Sequence, residues 1–331
     1  MRKRTVDLLA CPLCRRSLQV EAGAQEGEQI VHGSLACSCG SRFPIVDSIP
    51  RLVPRDHGGT AAFEDLQERT RRSFGYQWTT FGDMVERFRE DFLVYTAMPP
   101  EFFWGKVGLD AGCGFGRHLF YAASMGAEMV GMDFSAAAAQ AYRNVHRLAH
   151  VDIVQGDIFR PPFRDQAFDF VYSIGVLHHL PDPERGFRSL LPLVKPGGAV
   201  LVWVYSKSRR WTNALLEAVR RCTSRLPFRA LKTLSFLGAA VDWACFIGPY
   251  KAAVRCGPFR ALAERFTFPR IKLYARYPFQ VAYADWFDRL SAPVRHYYDE
   301  ADLQGWAQRA GLREVRISPT GYYGFRLYGE V

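Results

Sequence analysis

Apolar runs and helical spacing alternate along the middle of the chain. Strands are predicted at 107–110, 127–133, 151–155, 167–173 and 199–205, and helices at 117–125, 135–149 and 183–194. This alternation predicts an α/β fold with a parallel sheet, helices on both faces and ligands at the carboxyl ends of its strands. Towards the end of the chain, Asp299 is predicted to cap a helix that ends at Gly311, and strands follow at 312–317 and 322–329.

The first of these strands leads into a glycine-rich turn, Asp110-Ala111-Gly112-Cys113-Gly114-Phe115-Gly116. Glycines at alternate positions permit a sharp turn and let a ligand approach backbone N–H groups, although a turn without a ligand is the alternative. A dinucleotide fingerprint would need a glycine where Arg117 stands, which disfavours a nicotinamide dehydrogenase. An acidic residue two places before G-x-G-x-G resembles the first motif of class I S-adenosylmethionine-dependent methyltransferases.

Acidic residues follow the first three strands, at Asp110, Asp133 and Asp157. Asp133 can accept both ribose hydroxyls, and Asp157 can accept the adenine amino hydrogens while Ile158 packs on the ring. Asp110 and the glycine-loop N–H groups suit the methionine end of the cofactor. The alternative for Asp133 is a helix cap, a role that Ser135 can also fill. The predicted cofactor-binding residues are Asp110, Gly112, Cys113, Gly114, Gly116, Asp133, Phe134, Asp157, Ile158 and Ser173.

The run from Ser173 to Asp182 resembles the fourth motif of the same family, and the resemblance covers about residues 100–205 and resumes near 295. It implies a Rossmann-like seven-stranded sheet whose final strand is antiparallel. His178 and His179 are candidate general bases, with a purely loop-shaping role as the alternative. Tyr297 and His296 are secondary candidates, since the corresponding stretch borders the acceptor pocket in family members.

The first 55 residues carry two close cysteine pairs, Cys11 with Cys14 and Cys37 with Cys39. Four thiolates can close a tetrahedral zinc site, and so short a segment has too little core to fold well without one. The segment resembles the small zinc-ribbon family of methyltransferase-activator proteins. Its second pair is C-x-C where that family has C-x-x-C, so either Cys37 or Cys39 could be replaced by His32. A ribbon that has lost its metal is the alternative.

Residues 56–105 are predicted to be a linker and a helical cap that precede the cofactor-binding core at 106–205. His57, Gly58 and Gly59 predict a flexible join, and aromatic residues at helical spacing follow. These aromatic residues are expected mainly to pack. The resemblance also implies cofactor contact near Tyr76 to Phe81.

Residues 206–290 differ most in composition from the rest of the chain. They are a predicted insertion before the C-terminal part of the core at 291–331. The chain carries a formal net charge of +10, and this insertion holds 16 Lys and Arg against 5 Asp and Glu. Its apolar segment 234–247 contains Asp242 and is expected to be too short to cross a membrane. The insertion suits a lid over a lipophilic acceptor, contact with an anionic membrane surface, RNA binding or a solvated cap.

Together these features predict a methyltransferase that uses S-adenosylmethionine and a structural Zn²⁺. The preferred acceptor is an O, N or C nucleophile of a small or lipophilic metabolite; the alternatives are an RNA base and a non-catalytic partner role. Asp7 interrupts the first apolar run, so we expect no signal peptide, and no uninterrupted run reaches the roughly 18 residues of a membrane span. Cysteines outside the two pairs are isolated, which favours a reducing, cytoplasmic location.

Overall fold

Eleven strands form one continuous sheet in the computed structural model, which describes residues 1–54, 59–321 and 323–331. The strands are β1 (Leu18–Glu26), β2 (Gln29–Cys37), β3 (Arg42–Val46), β4 (Ile49–Leu52), β5 (Val107–Ala111), β6 (Glu128–Asp133), β7 (Val151–Gly156), β8 (Phe168–Ile174), β9 (Val194–Tyr205), β10 (Arg313–Thr320) and β11 (Gly324–Glu330). Their order across the sheet is β1-β2-β3-β4-β7-β6-β5-β8-β9-β11-β10. His57 and Gly58 of the predicted join lie outside the described residues.

The helices follow the same chain order. They are α1 (Ala61–Thr80), α2 (Phe88–Thr96), α3 (Arg117–Ser124), α4 (Ala137–Val145), α5 (Pro183–Leu190), α6 (Arg210–Thr223), α7 (Phe228–Asp242), α8 (Gly248–Arg255), α9 (Gly257–Phe266), α10 (Pro269–Tyr274), α11 (Phe279–Ser291) and α12 (Glu300–Arg309). Asp299 caps α12 as predicted, because its side chain accepts from the backbone N–H of Asp302 while the Asp302 side chain accepts from Asp299.

Strands β5 to β11 form the seven-stranded core sheet that the sequence predicts. β5 lies in its interior and pairs in parallel with β6 and β8, while β11 runs antiparallel to β9 and β10. The central strands read as apolar runs because helices cover both faces: Phe170, Val171 and Tyr172 in β8 are fully buried. The prediction of the core sheet and of its antiparallel last strand is therefore confirmed.

The whole sheet has more strands than predicted, because strands β1 to β4 of the N-terminal ribbon extend the core sheet beyond β7. Arg51 and Leu52 of β4 pair in parallel with Gln155 and Gly156 of β7, so β4 covers the C-terminal end of that edge strand. A buried ion pair strengthens the junction, since Arg2 Nε lies 2.6 Å from Asp152 Oδ2 and the Arg2 backbone N–H donates to Oδ1 at 3.0 Å. Seven core strands and four ribbon strands thus share one sheet.

The chain forms two compact units, one of residues 1–206 with 294–331 and one of residues 207–293. Helices α6 to α11 make up the second unit, in which α7 packs along α11. A buried carboxylate organises its interior: Asp242 Oδ1 accepts from Arg270 Nη1 at 3.0 Å, and Oδ2 accepts from Trp286 Nε1 at 3.1 Å.

The apolar segment of this second unit is longer than the sequence analysis predicted. A π-helical turn, Trp243–Ile247, joins α7 to α8, so that helix runs without a break over Phe228–Arg255 for 28 residues. By length and composition this helix could cross a membrane, with a mean hydropathy of 1.4 in its most apolar window. The expectation that the segment is too short was wrong, because the helix continues past the apolar run on both sides.

Candidate functional site

The glycine turn after β5 forms the base of a cleft. Gly112 has a φ of +90°, and a Cβ there would lie 2.5 Å from Val176 Cγ2, so no other residue fits without displacing that side chain. Gly114 has a φ of +55°, and its N–H donates to Asp133 Oδ2 at 2.9 Å. The turn ends at Gly116, the residue before α3, whose N-terminal dipole favours an anionic group.

The acidic residues at the strand ends lie along one edge of the sheet, because β5, β6 and β7 are parallel neighbours. Asp133 also holds the local backbone, since its Oδ1 accepts from Ser135 N at 2.8 Å and from Ser135 Oγ at 2.6 Å. Ser135 Oγ in turn accepts from the backbone N–H of Ala137, near the start of α4. Asp133 therefore bridges two loops, and Ser135 links it to the first backbone N–H of α4.

Burial makes two of these carboxyl groups costly to ionise. Desolvation raises the pKa of Asp110 to about 8; the negative charge of Asp133 raises it further, while the Tyr172 hydroxyl opposes the shift. Burial also raises the pKa of Asp133, against the hydrogen bonds from Ser135 and Gly114. A cation placed between the two would favour the ionised form of both.

The cleft and the open solvent at its mouth together have about 910 Å³ of empty space. Eight of the predicted residues line it: Gly112, Cys113, Gly114, Asp133, Phe134, Asp157, Ile158 and His179. Six others, His296 among them, lie outside the lining. Asp110 and Ser173 are buried within the sheet, and Gly116 packs behind the turn against Ala141. His178 is fully buried, and its ring centroid lies 4.0 Å from that of Tyr205. The Tyr297 ring stacks on Tyr205 as well, with the centroids 6.5 Å apart.

Helix α1 supplies a wall of the cleft that the sequence analysis mostly missed. Gln67, Arg71, Phe74 and Trp78 line the cleft, and Gln67 Nε2 donates to Asp157 Oδ2 at 2.7 Å. Only Trp78 falls in the stretch for which cofactor contact was expected. The spacing i, i+4, i+7 and i+11 places all four on one face of the helix, and polar residues among aromatic ones on that face were the available signal.

The two adjacent histidines have different surroundings. His179 lines the cleft with its ring 4.7 Å from that of Phe74, and its Nδ1 lies 2.9 Å from the carbonyl oxygen of Val294. Since a carbonyl only accepts, Nδ1 carries the proton, and in the neutral ring Nε2 holds the lone pair. His178 contributes its carbonyl oxygen to the backbone N–H of His296, which ties the motif to the start of the C-terminal segment.

The four ribbon cysteines form one cluster in which all sulfur atoms lie within 4.8 Å of one another. Cys11 Sγ lies 3.8 Å from Cys39 Sγ, and Cys14 Sγ lies 3.4 Å from Cys37 Sγ. A tetrahedral zinc with Zn–S bonds of about 2.3 Å requires sulfur separations near 3.8 Å, so the cluster fits zinc.

The C-x-C spacing therefore still brings both of its sulfurs into the cluster. His32 is not part of the cluster; its Nε2 lies 3.9 Å from Asp47 Oδ1. The alternative in which His32 replaces a cysteine was wrong.

Known families match both parts of the first unit. A methyltransferase-domain family model matches residues 109–202, and a Trm112p-like family model matches residues 2–48. The ubiquinone biosynthesis O-methyltransferase of Pectobacterium atrosepticum is 30% identical over 170 residues, which cover 49% of this chain and 67% of that protein.

Two further relatives have other acceptors in their names. The sterol 24-C-methyltransferase ERG6 of Saccharomyces cerevisiae is 32% identical over 136 residues, 39% of this chain and 34% of that protein. A Mus musculus protein named "Probable tRNA methyltransferase 9B" is 31% identical over 130 residues, 37% of this chain and 28% of that protein. The chain thus spans well under half the length of these two relatives. Taken with the domain matches and the ubiquinone relative, the cleft and the cysteine cluster show that the chain belongs to the S-adenosylmethionine-dependent methyltransferases. It carries a Trm112p-like domain before its methyltransferase domain.

Proposed function

We propose that this protein transfers the methyl group of S-adenosylmethionine to a small lipophilic acceptor. The observation that carries the proposal is the wall of the cleft beyond the cofactor-binding acids, where Phe74, Ile174, Val176 and Leu180 are apolar. An acceptor that enters there loses its hydration, which favours apolar molecules with few polar groups.

The described residues fit the cofactor in three places. Asp133, at the end of β6, would accept the ribose hydroxyls. Asp157, steadied by Gln67, suits the adenine amino group, and Ile158 suits the ring face. Asp110 lies below the glycine turn, where the positive ammonium of the methionine end would offset the cost of a buried carboxylate.

When bound, S-adenosylmethionine supplies a methyl group on a positively charged sulfur. The contribution of the chain is chiefly to hold acceptor and donor in line and to exclude water, which can supply roughly 7 to 11 kcal/mol. His179 is the candidate base, because it lines the cleft and its Nε2 carries the lone pair of the neutral ring. His178 is fully buried, and we assign it the role of shaping the loop.

RNA is the second candidate acceptor, favoured by the tRNA methyltransferase name of one relative and by the basic insertion. The net charge of the unit that contains the cleft disfavours RNA as the acceptor. The whole chain holds 43 Lys and Arg against 33 Asp and Glu, and the 207–293 unit holds 16 against 5, so the unit with the cleft holds 27 against 28. A net charge near zero provides little attraction for a phosphate backbone.

Label transfer tests the proposal. Purified protein is incubated with methyl-labelled S-adenosylmethionine and an extract of the cells that encode it, and the extract is separated into RNA, protein and organic-soluble fractions. We expect label in the organic-soluble fraction, and none with a His179→Ala variant that still binds cofactor in calorimetry if His179 is the base. Ribonuclease-sensitive label would transfer the assignment to RNA. Absence of label in every fraction, despite measured cofactor binding, would contradict transfer itself.

A further inference from the structure

Exposed apolar side chains are concentrated in the unit of residues 207–293. Of the 18 large apolar side chains that are exposed among the described residues, 13 belong to this unit. An exposed apolar surface of this kind marks a contact site on a soluble protein. Its arrangement and the charge around it indicate what it contacts.

Helix α6 carries one apolar stripe. Trp211, Leu215 and Val219 recur at i, i+4 and i+8, which places them on one face, and Trp211 is 91% exposed. Arg210 precedes this stripe and Arg221 follows it, both on the same helix.

Helix α7 is apolar on two faces. Leu231, Ser235 and Ala239 recur at i, i+4 and i+8 on the buried face. Leu234, Leu237 and Val241 lie on the other side and are exposed, Val241 by 58%. A surface helix of a soluble protein normally turns polar residues outwards, so a second apolar face needs a separate apolar partner.

Helix α9 repeats the pattern. Phe259, Leu262 and Phe266 recur at i, i+3 and i+7 and are all exposed, and Phe268 follows immediately after the helix with 73% exposure. Three helices of one unit therefore present exposed apolar stripes. We call these nine stripe residues of α6, α7 and α9, together with Phe268, the apolar insertion surface.

The charge of the unit is strongly positive, because it holds 16 Lys and Arg against 5 Asp and Glu. Four of its five acidic residues form ion pairs within the unit. These pairs are Arg220 with Glu217, Arg260 with Glu264, Arg270 with Asp242 and Arg289 with Asp285. Twelve of the 16 Lys and Arg residues lie outside these four pairs.

An anionic lipid surface fits both features at once. Leucine, valine and phenylalanine stripes enter the boundary between headgroups and acyl chains, while Lys and Arg contact anionic headgroups. Tryptophan beside basic residues is typical of this boundary, as with Trp211 next to Arg210 and with Lys251 Nζ 5.0 Å from the Trp243 ring.

Other occupants fit less well. RNA bases stack on aromatic rings, but six of the ten residues of the apolar insertion surface are aliphatic, among them all three of the α7 stripe. A second copy of the unit would bring two strongly positive bodies together. A membrane span by Phe228–Arg255 would carry the buried Asp242–Arg270 pair into the bilayer centre, at a high cost in free energy.

We propose that the apolar insertion surface, with the basic residues around it, docks this protein peripherally on an anionic lipid membrane. The helices lie in the headgroup boundary and do not cross the bilayer. This proposal does not depend on the identity of the methyl acceptor.

Vesicle flotation tests the proposal with the full chain. Vesicles of phosphatidylcholine alone are compared with vesicles that also contain phosphatidylglycerol. We expect flotation with the mixed vesicles and binding at least about tenfold weaker to the neutral ones, with partial loss at high salt because the apolar contribution persists. Equal binding to both compositions, or no flotation with either, would overturn the proposal.

Matched substitutions locate the contact. A Leu215→Ser/Leu237→Ser/Phe266→Ser variant changes one exposed residue in each stripe, so folding should be retained, and we expect at least about a tenfold loss of vesicle affinity. The control is Trp104→Ser, an exposed aromatic in the other unit that is 77% accessible, which should bind like the unaltered chain. Unchanged affinity of the triple variant, with circular dichroism and cofactor binding intact, would refute the assignment.

Three further results would assign the surface otherwise. Bound protein that resists extraction from the vesicles at alkaline pH would indicate a spanning helix. Binding to poly(U) without flotation would indicate RNA. A dimer in gel filtration that the triple variant dissociates, again without flotation, would indicate self-association. Each of these outcomes contradicts peripheral docking.

Discussion

The sheet unit and the helical insertion place similar apolar side chains in opposite surroundings. In the sheet unit, strand residues such as Phe170 and Val171 are fully buried between helices, and the cleft forms where those strands end. In the insertion, residues such as Leu237 and Phe266 are exposed on helices that are rich in basic residues. The comparison shows that apolar content does not by itself indicate a core: the charge beside the apolar residues, and whether an element covers them, decide their use.

The largest expected effect is a loss of cofactor affinity when an acidic residue of the cleft is removed. Asp133→Ala removes an acceptor for the ribose hydroxyls and the carboxylate that holds Gly114 N–H. Two lost charge-assisted hydrogen bonds of about 1.5 to 3 kcal/mol each predict cofactor binding that is weaker by about 100-fold or more. Isothermal titration calorimetry measures this, with Asp302→Ala, which alters a distant helix cap, as the control. Unchanged affinity would remove Asp133 from the site.

The same substitution in both units tests the comparison directly. Phe170→Ala leaves a cavity beside Phe102, Phe103 and Tyr172 and should lower the free energy of unfolding by about 3 to 5 kcal/mol. Phe266→Ala, at a side chain that is 70% exposed, should change it by no more than about 0.5 kcal/mol. Chemical denaturation followed by circular dichroism gives both values. A loss of several kcal/mol for Phe266→Ala would show that this side chain belongs to a core.

Metal removal distinguishes the ribbon from the rest of the sheet unit. We expect about one zinc ion per purified chain, and its loss in Cys14→Ser because a tetrahedral site then lacks one thiolate. Hydrogen exchange should rise across β1 to β4 and stay low in β5, which remains held by β6 and β8. Cys222→Ser, at an exposed cysteine of the insertion, is the matched control and should keep its zinc. Full zinc content in Cys14→Ser would argue against the four-sulfur site.

A pH dependence is also expected at Asp110. Its pKa is about 8 in the folded chain and 3.8 as an ordinary carboxyl group, so the folded chain holds this proton more tightly. The stability of the cofactor-free protein should therefore fall as pH rises from about 4 to about 8. Cofactor affinity should rise over the upper part of that range, because the ammonium of the cofactor prefers the ionised carboxyl.

Asp110→Asn provides the comparison for that pH dependence. Its melting temperature should vary less with pH than that of the unaltered chain, and its cofactor affinity should be lower and flatter with pH. Thermal melts and calorimetry from pH 5 to pH 9 give both profiles. Identical profiles for the two proteins would mean that another group titrates.

Most of the sheet unit could be predicted from the sequence. The strands after residue 106 have apolar runs bounded by turns, and the acids at their ends lie where parallel strands bring them to one edge. The helix α1 wall was harder, because its aromatic residues look the same whether they pack on a neighbour or line a cleft. Asp110 and Ser173 lie outside the lining for a related reason: a motif indicates which loop matters but not which side chains of that loop are covered.

What the sequence alone determined is local: the periodicity of each strand and helix, the glycine turn, the cysteine pairs and the excess of basic residues in the insertion. These depend on backbone geometry and on neighbours a few residues away. The tertiary structure decided that β4 completes the edge at β7, that both cysteines of the C-x-C pair join the cluster, and that the insertion leaves its apolar stripes exposed. Each of these outcomes depends on which distant surfaces meet, and contacts between residues far apart in the chain leave no periodic signal in a single sequence.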